Sequence, residues 1–118
     1  LATLLITKTD GIFSQQAETI ARIFVRDSLK TALERYRLDI GSYPSTAEGL
    51  TVLMNAPANG SANWKGPYVD FAGGKAPLDP WREPYQYRFP GTRNKSGYDL
   101  FSKGIDKTEG TEDDIGNW

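Results

Sequence analysis

The C-terminal stretch gathers most of the chain's oxygen chemistry into a short span. From Asp99 to Trp118 it places Asp99, Asp106, Glu109, Glu112, Asp113 and Asp114 against only Lys103 and Lys107. That is a net −4 in a protein whose total is −1, which leaves +3 for the rest. Like charges crowded into one loop raise the free energy of any compact conformation unless a cation offsets them. Calcium suits such a loop, because it accepts about six to eight oxygens from carboxylates, carbonyls and water in a tolerant geometry. Gly104 and Gly110 would let the backbone bend and turn its carbonyls inward. Asp106 stands seven residues before Asp113, and Asp114 is adjacent, so a loop returning on itself could unite all three.

The spacing is not that of an EF-hand. Counted from Asp106, two positions that need carboxylates hold Gly110 and Asn117. A solvated acidic loop therefore stands beside calcium as a reading of the same residues. An acid–base pair of Asp113 and Asp114 is the poorest fit: adjacent residues in an extended chain point to opposite faces, and no nucleophile is legible nearby. Elsewhere the composition prunes chemistry. The chain has no His and no Cys, which excludes a Ser-His-Asp triad, a Cys nucleophile, a disulfide and the usual zinc sites. A net charge of −1 offers no general attraction to nucleic acid or to an anionic membrane surface.

These residues must be positioned by a single domain of 118 residues. Residues 13–40 read as one long helix. Phe13, Ala17, Ile20, Phe24, Ser28 and Ala32 step by threes and fours beside a second stripe of Ala21, Val25, Leu29, Leu33 and Tyr36. Asp39-Ile40-Gly41 supplies the stop. Residues 41–118 form the globular part. There Ser45-Thr46-Ala47-Glu48 has capping-box spacing and predicts a short helix ending before Pro57. Tyr85 to Phe89 and the stretch around Tyr98 to Phe101 alternate with period two, and Gly91, Asn94 and Gly97 between them predict a hairpin. The sum is α+β. No apolar run reaches the roughly 20 residues of a membrane span, although residues 1–12 open with the apolar Leu1-Ala2-Thr3-Leu4-Leu5-Ile6.

Taken in order along nearly the whole chain, the motifs resemble the major pseudopilins of type II secretion (general secretion pathway protein G family). Leu33-Glu34-Arg35-Tyr36-Arg37-Leu38-Asp39-Ile40-Gly41-Ser42-Tyr43-Pro44 is similar to that family's "YxLDxGxYP" junction. Thr46 to Leu50 with Leu53 looks like its "TxxGLxxL" helix. Gly66-Pro67-Tyr68, Asp79-Pro80-Trp81 with Pro84-Tyr85-Gln86-Tyr87, and Asp113-Asp114-Ile115-Gly116-Asn117-Trp118 match its "GPY", "DPWxxPYQY" and "DDIGNW" segments. Arg82 departs from the pattern, standing where many relatives have Gly, and Lys103 replaces an apolar residue.

The resemblance implies a type IV pilin-like fold: a long N-terminal helix packed on a small antiparallel sheet, with a C-terminal calcium-binding loop. It implies Ca2+ held by the side chains of Asp106, Asp113 and Asp114, with the main-chain carbonyls of Lys103 and Thr108 completing the shell. Trp81 and Trp118 are expected as packing anchors. Residues 1–12 become the lead-in to an N-terminal apolar helix absent from this chain, which would place the protein as a single-pass inner-membrane protein with this domain in the periplasm. The implied role is non-enzymatic: self-assembly into a helical pseudopilus that helps export folded proteins across the outer membrane. Its partners would be minor pseudopilins and the inner-membrane platform, and no nucleic acid. Two alternatives remain at this stage, another type IV pilin-like subunit (minor pseudopilin or adhesion pilin) and a free calcium-stabilised binding module.

Overall fold

With neither Gly nor Pro to interrupt it, the segment from residue 15 to residue 40 winds into one helix, α1. The computed structural model describes residues 15–57 and 62–118, so the lead-in 1–12, the expected helix start at Phe13 and the loop tip at 58–61 lie outside the described residues. The buried stripe of α1 is Ala17, Ala21, Val25, Leu29 and Leu33, followed by Tyr36. The other predicted stripe shares in the core: its Ala17 and Ala32 are buried and its Phe24 is half-buried, while its Ile20 is 57% exposed and its Ser28 exposed.

The reason is geometric. Five buried residues spaced strictly by four each advance about 40° past a full turn of a 3.6-residue helix, so the stripe would drift off any flat partner. The drift is corrected in mid-helix, where Phe24–Ser28 is π-helical; the wider i→i+5 turn rotates the stripe back before the α-helix resumes at Lys30–Ile40. Gly41 ends the helix at φ 106°, with its N–H donating to the Arg37 carbonyl at 2.8 Å, as the sequence predicts.

The capping box forms, but on a different element from the one expected. The Ser45 N–H donates to Glu48 Oε1 at 3.0 Å, and the Glu48 N–H donates to Ser45 Oγ at 3.1 Å. One turn later Gly49 takes φ +64°, which no α-helix propagates through. The predicted two-turn helix is therefore a single capped turn followed by a 3-10 segment, Gly49–Leu53.

Three short strands make the sheet: β1 (Gln86–Arg88), β2 (Asp99–Ser102) and β3 (Ile115–Gly116), in the order β1-β2-β3 and antiparallel throughout. β1 and β2 are the predicted hairpin, paired Gln86↔Phe101, Tyr87↔Leu100 and Arg88↔Asp99. β3, unmarked by periodicity in so short a segment, returns from the acidic loop and pairs Phe101↔Gly116 and Ser102↔Ile115. All four residues of β2 are buried, because the strand is central in the sheet and lies under the π-helical part of α1.

The core sits between α1, the 3-10 segment and β2, with Leu33, Leu53 and Leu100 fully buried. Aromatic rings extend it. Phe24 stacks on Tyr85 with ring centres 4.1 Å apart, and Tyr36 and Trp64 both meet Tyr68 edge-on. Three polar ring atoms of the core are paired: Trp64 Nε1–H donates to the Val52 carbonyl, Tyr68 O–H to Asp39 Oδ2 and Tyr87 O–H to the Pro44 carbonyl, each at 2.7 Å.

Candidate functional site

The acidic loop leaves the end of β2 and returns as β3, so both of its ends are fixed by the sheet. Its first bend is Gly104, in the left-handed region at φ +77°. The position also demands glycine by contact, since a Cβ there would meet the Asp113 carbonyl oxygen and lie 2.8 Å from Asp113 Oδ2. Residues 104 and 113 are thus pressed together across the loop. Lys107 (φ 57°) and Gly110 (φ +87°) supply two further left-handed turns.

Within this frame the predicted ligands are placed as follows. The N–H of Asp106 donates to Asp113 Oδ2 at 3.0 Å, and the Thr111 hydroxyl donates to Asp113 Oδ1. These two bonds, the Thr111 hydroxyl first, hold the Asp113 carboxyl below its ordinary pKa. The Gly110 N–H donates to Asp114 Oδ2 at 2.7 Å, and Thr111 Oγ1 also lies 3.5 Å from Asp114 Oδ1. The Asp106 carboxylate turns locally, accepting the Thr108 N–H at 2.9 Å, while the Thr108 carbonyl lies 3.1 Å from Thr111 Oγ1 as a competing acceptor for the single hydroxyl proton that Asp113 takes. Asp113 and Asp114 are therefore brought together around Thr111, with the Asp106 N–H bonded to Asp113 and the Asp106 carboxyl within reach of the Asp113 carboxyl. Among the described residues no group of three or more Asp or Glu side chains stands close enough to hold a metal ion.

The candidate donors are all oxygens, the donor type that calcium takes, and Gly104 closes the chain tightly around Asp113. The carboxylates rest on N–H and hydroxyl donors, so cation binding would exchange those donors for the ion. Glu109 is held away from this group by a salt bridge to Arg88 on β1.

Four residues that the sequence did not mark as site residues, Thr111, Asp79, Ser102 and Asn117, hold the loop in place. Thr111 links Asp113 to Asp114; its only sequence signal is a hydroxyl between carboxylates. At the base, Asp79 Oδ1 accepts the N–H groups of Trp81 and Glu83 at 3.0 and 2.8 Å, and its Oδ2 accepts the Ser102 hydroxyl at 2.7 Å. The Gly104 N–H in turn donates to Ser102 Oγ at 3.1 Å. Past the loop, Asn117 Oδ1 accepts the Leu100 N–H at 3.0 Å and the Asn94 amide at 3.2 Å. Trp118 covers Gly116, where a Cβ would lie 2.5 Å from its ring, and tilts onto Phe101 at 5.5 Å. The expected packing role of Trp118 follows from these contacts, with the Arg93 guanidinium 4.6 Å over the same ring.

Comparison with known proteins gives one consistent result. The family model for "Type II secretion system (T2SS), protein G" matches residues 12–118. The type II secretion system core protein G of Pseudomonas aeruginosa is 40% identical over 124 residues, covering 100% of this chain and 82% of that protein. Its counterpart in Aeromonas hydrophila is 45% identical over 94 residues, covering 77% of this chain and 62% of that protein, so the match spans less than two thirds of this second relative. The crystal structure of the major pseudopilin from the type 2 secretion system of enterohaemorrhagic Escherichia coli superposes with a TM-score of 0.75 at 33% identity, covering 92% of this chain and 87% of that one. A helix against a three-stranded antiparallel sheet, a loop returning as the third strand and this agreement in sequence lead to one statement: the chain belongs to the type II secretion system protein G family.

Proposed function

We propose that this chain is the globular part of a pseudopilus subunit, and that its task is assembly rather than catalysis. The observation that carries this is the likeness to a major pseudopilin over 92% of the chain at a TM-score of 0.75. Identical subunits would join head to tail through heterologous contacts that do not close on themselves, which generates a helical filament. The long α1 supplies an axial surface, and the sheet with its acidic loop faces outward. Before assembly the subunit would be held in the inner membrane by an apolar helix leading into residue 1, with this domain in the periplasm. Minor pseudopilins and the inner-membrane platform are the proposed partners, and folded exoproteins the cargo. Among the described residues no helix is long and apolar enough to cross a membrane.

Calcium would pin the acidic loop, with the carboxylates of Asp106, Asp113 and Asp114 and the carbonyls of Lys103 and Thr108 as its ligands. When bound it supplies charge neutralisation, and the chain supplies the oxygens, the Gly104 bend and the exclusion of alternative loop paths. A site with a Kd of roughly 0.1 mM would stabilise the fold by about 1.4 kcal/mol at about 1 mM calcium. Against a typical domain stability of about 5–15 kcal/mol, that is enough to change the fraction of subunits fit to assemble.

Two experiments address the two halves of this reading. The native gene is expressed in a secretion-deficient strain lacking its own protein G, and the exported enzyme is assayed in the medium. Secretion restored supports the subunit role; a stable, correctly inserted protein that restores nothing sinks it. Asp113→Ala is expected to lower the melting temperature more in calcium than after chelation, where only its bonds from Asp106 and Thr111 are lost. Equal losses in both conditions would remove Asp113 from the ligand set.

A further inference from the structure

Asp79 and Ser102 are polar residues with almost no exposure, 3% and 0%, and they lie beneath the acidic loop rather than in it. A carboxylate offers acceptors only, and a hydroxyl has a single proton to give. Asp79 Oδ1 is taken by the N–H groups of Trp81 and Glu83, so Oδ2 receives the Ser102 proton. The serine oxygen then has only lone pairs left, and the Gly104 N–H donates to one of them. Each bond in this chain dictates the direction of the next.

That direction reaches a predicted ligand. The Gly104 N–H and the Lys103 carbonyl belong to one planar peptide unit, and the cis bonds of the described residues are confined to Gly66-Pro67 and Phe89-Pro90. In a trans unit the N–H and C=O point in opposite directions. Anchoring the Gly104 N–H down onto Ser102 therefore aims the Lys103 carbonyl up and away from the buried base. Gly104 holds this orientation at φ +77° with its α-carbon against Asp113.

We propose that Asp79 and Ser102 are positioning residues for the cation loop, their hydrogen-bonded chain fixing the Lys103–Gly104 peptide so that the Lys103 carbonyl is presented as a ligand beside Asp113. The assignment rests on the calcium reading above. It makes the turn after Leu78, remote in sequence from the acidic stretch, part of the machinery that sets calcium affinity.

The test is calcium titration by calorimetry on the whole chain, stripped of metal with chelator, at a temperature where circular dichroism shows each variant folded. Ser102→Ala is expected to raise the calcium Kd by about 10–100-fold, the usual cost of losing a residue behind a metal ligand. In calcium-free protein it should also speed hydrogen exchange at the Gly104 amide. Should Ser102→Ala fail to fold, Asp79→Asn carries the test. It keeps an oxygen for Trp81 and Glu83 but sets an amide N–H2 against the serine oxygen, whose displaced proton then competes for the side that takes the Gly104 N–H, and a smaller rise in Kd is expected. Folded variants that bind calcium with the wild-type Kd overturn this assignment while leaving the calcium reading standing. A wild-type chain that shows no calcium heat overturns both.

Discussion

Two aspartates in the same stretch have opposite fates, and their neighbours decide which. Asp99 on β2 is 1% exposed. Burial alone would push its pKa up, yet the N–H groups of Arg93, Asn94 and Thr92 and the Thr92 hydroxyl converge on it and hold it below the ordinary value. It belongs to the fold, ordering the turn before β2. Asp113 is partly exposed, its pKa also lowered, but by a hydroxyl and an N–H from the loop it closes. Asp99→Asn turns an amide N–H2 toward backbone donors and should cost roughly 2–3 kcal/mol in urea unfolding at neutral pH. Because the folded-state pKa is depressed, the stability from Asp99 is present above the usual carboxyl pKa and lost as pH falls through the folded value. The variant's stability should therefore fall less steeply below about pH 4 than the wild type's. An unchanged acid profile would show that Asp99 does not drive acid unfolding.

The tyrosines give a matching expectation at high pH. All six (Tyr36, Tyr43, Tyr68, Tyr85, Tyr87 and Tyr98) have raised pKa values, burial being the leading cause at each, with Tyr85 and Tyr98 pushed up to about 12. A raised folded-state pKa contributes stability that is complete below the unfolded value near 10 and is lost as pH climbs toward the folded one. Phenolate absorbance should accordingly show no step at pH 10, then rise together with unfolding above it. A normal titration in folded protein would refute the packing of these rings.

At the scale of elements, the turn that begins at Asp79 shows how a local strain can be recognised and relieved. Its Arg82 stands at φ 66°, with its N–H donating to the Asp79 carbonyl at 2.9 Å. A side chain in that region costs about 1–2 kcal/mol. Arg82→Gly removes the strain but loosens the unfolded chain, so a net gain of up to about 1 kcal/mol is expected, read as a rise in melting temperature. A drop would mean that the exposed arginine makes a contact worth more than the strain. In α1 the π-helical turn does comparable service for packing, since it lets a stripe spaced by fours stay on the sheet. The capping box at Ser45 was legible because its two hydrogen bonds span only three residues. The end of that turn at Gly49 depends on one backbone angle, which the residue type permits but does not dictate.

For the molecule as a whole, the sequence by itself determined the α+β class, the single long helix and its stop at Gly41, the β1–β2 hairpin and the family. Each of these rests on periodicity, on a cap or on ordered motifs, all interactions between residues close along the chain. Only the tertiary structure decided how the two apolar stripes share the core, that Ile115–Gly116 closes the sheet as β3, and that Asp79 and Ser102 lie under the acidic loop. Those outcomes depend on contacts between residues far apart in sequence, such as Asp79 with Ser102 and Asn94 with Asn117. Such pairs carry no local signature, because a buried serine or asparagine looks the same in sequence as an exposed one until its partner is brought beside it.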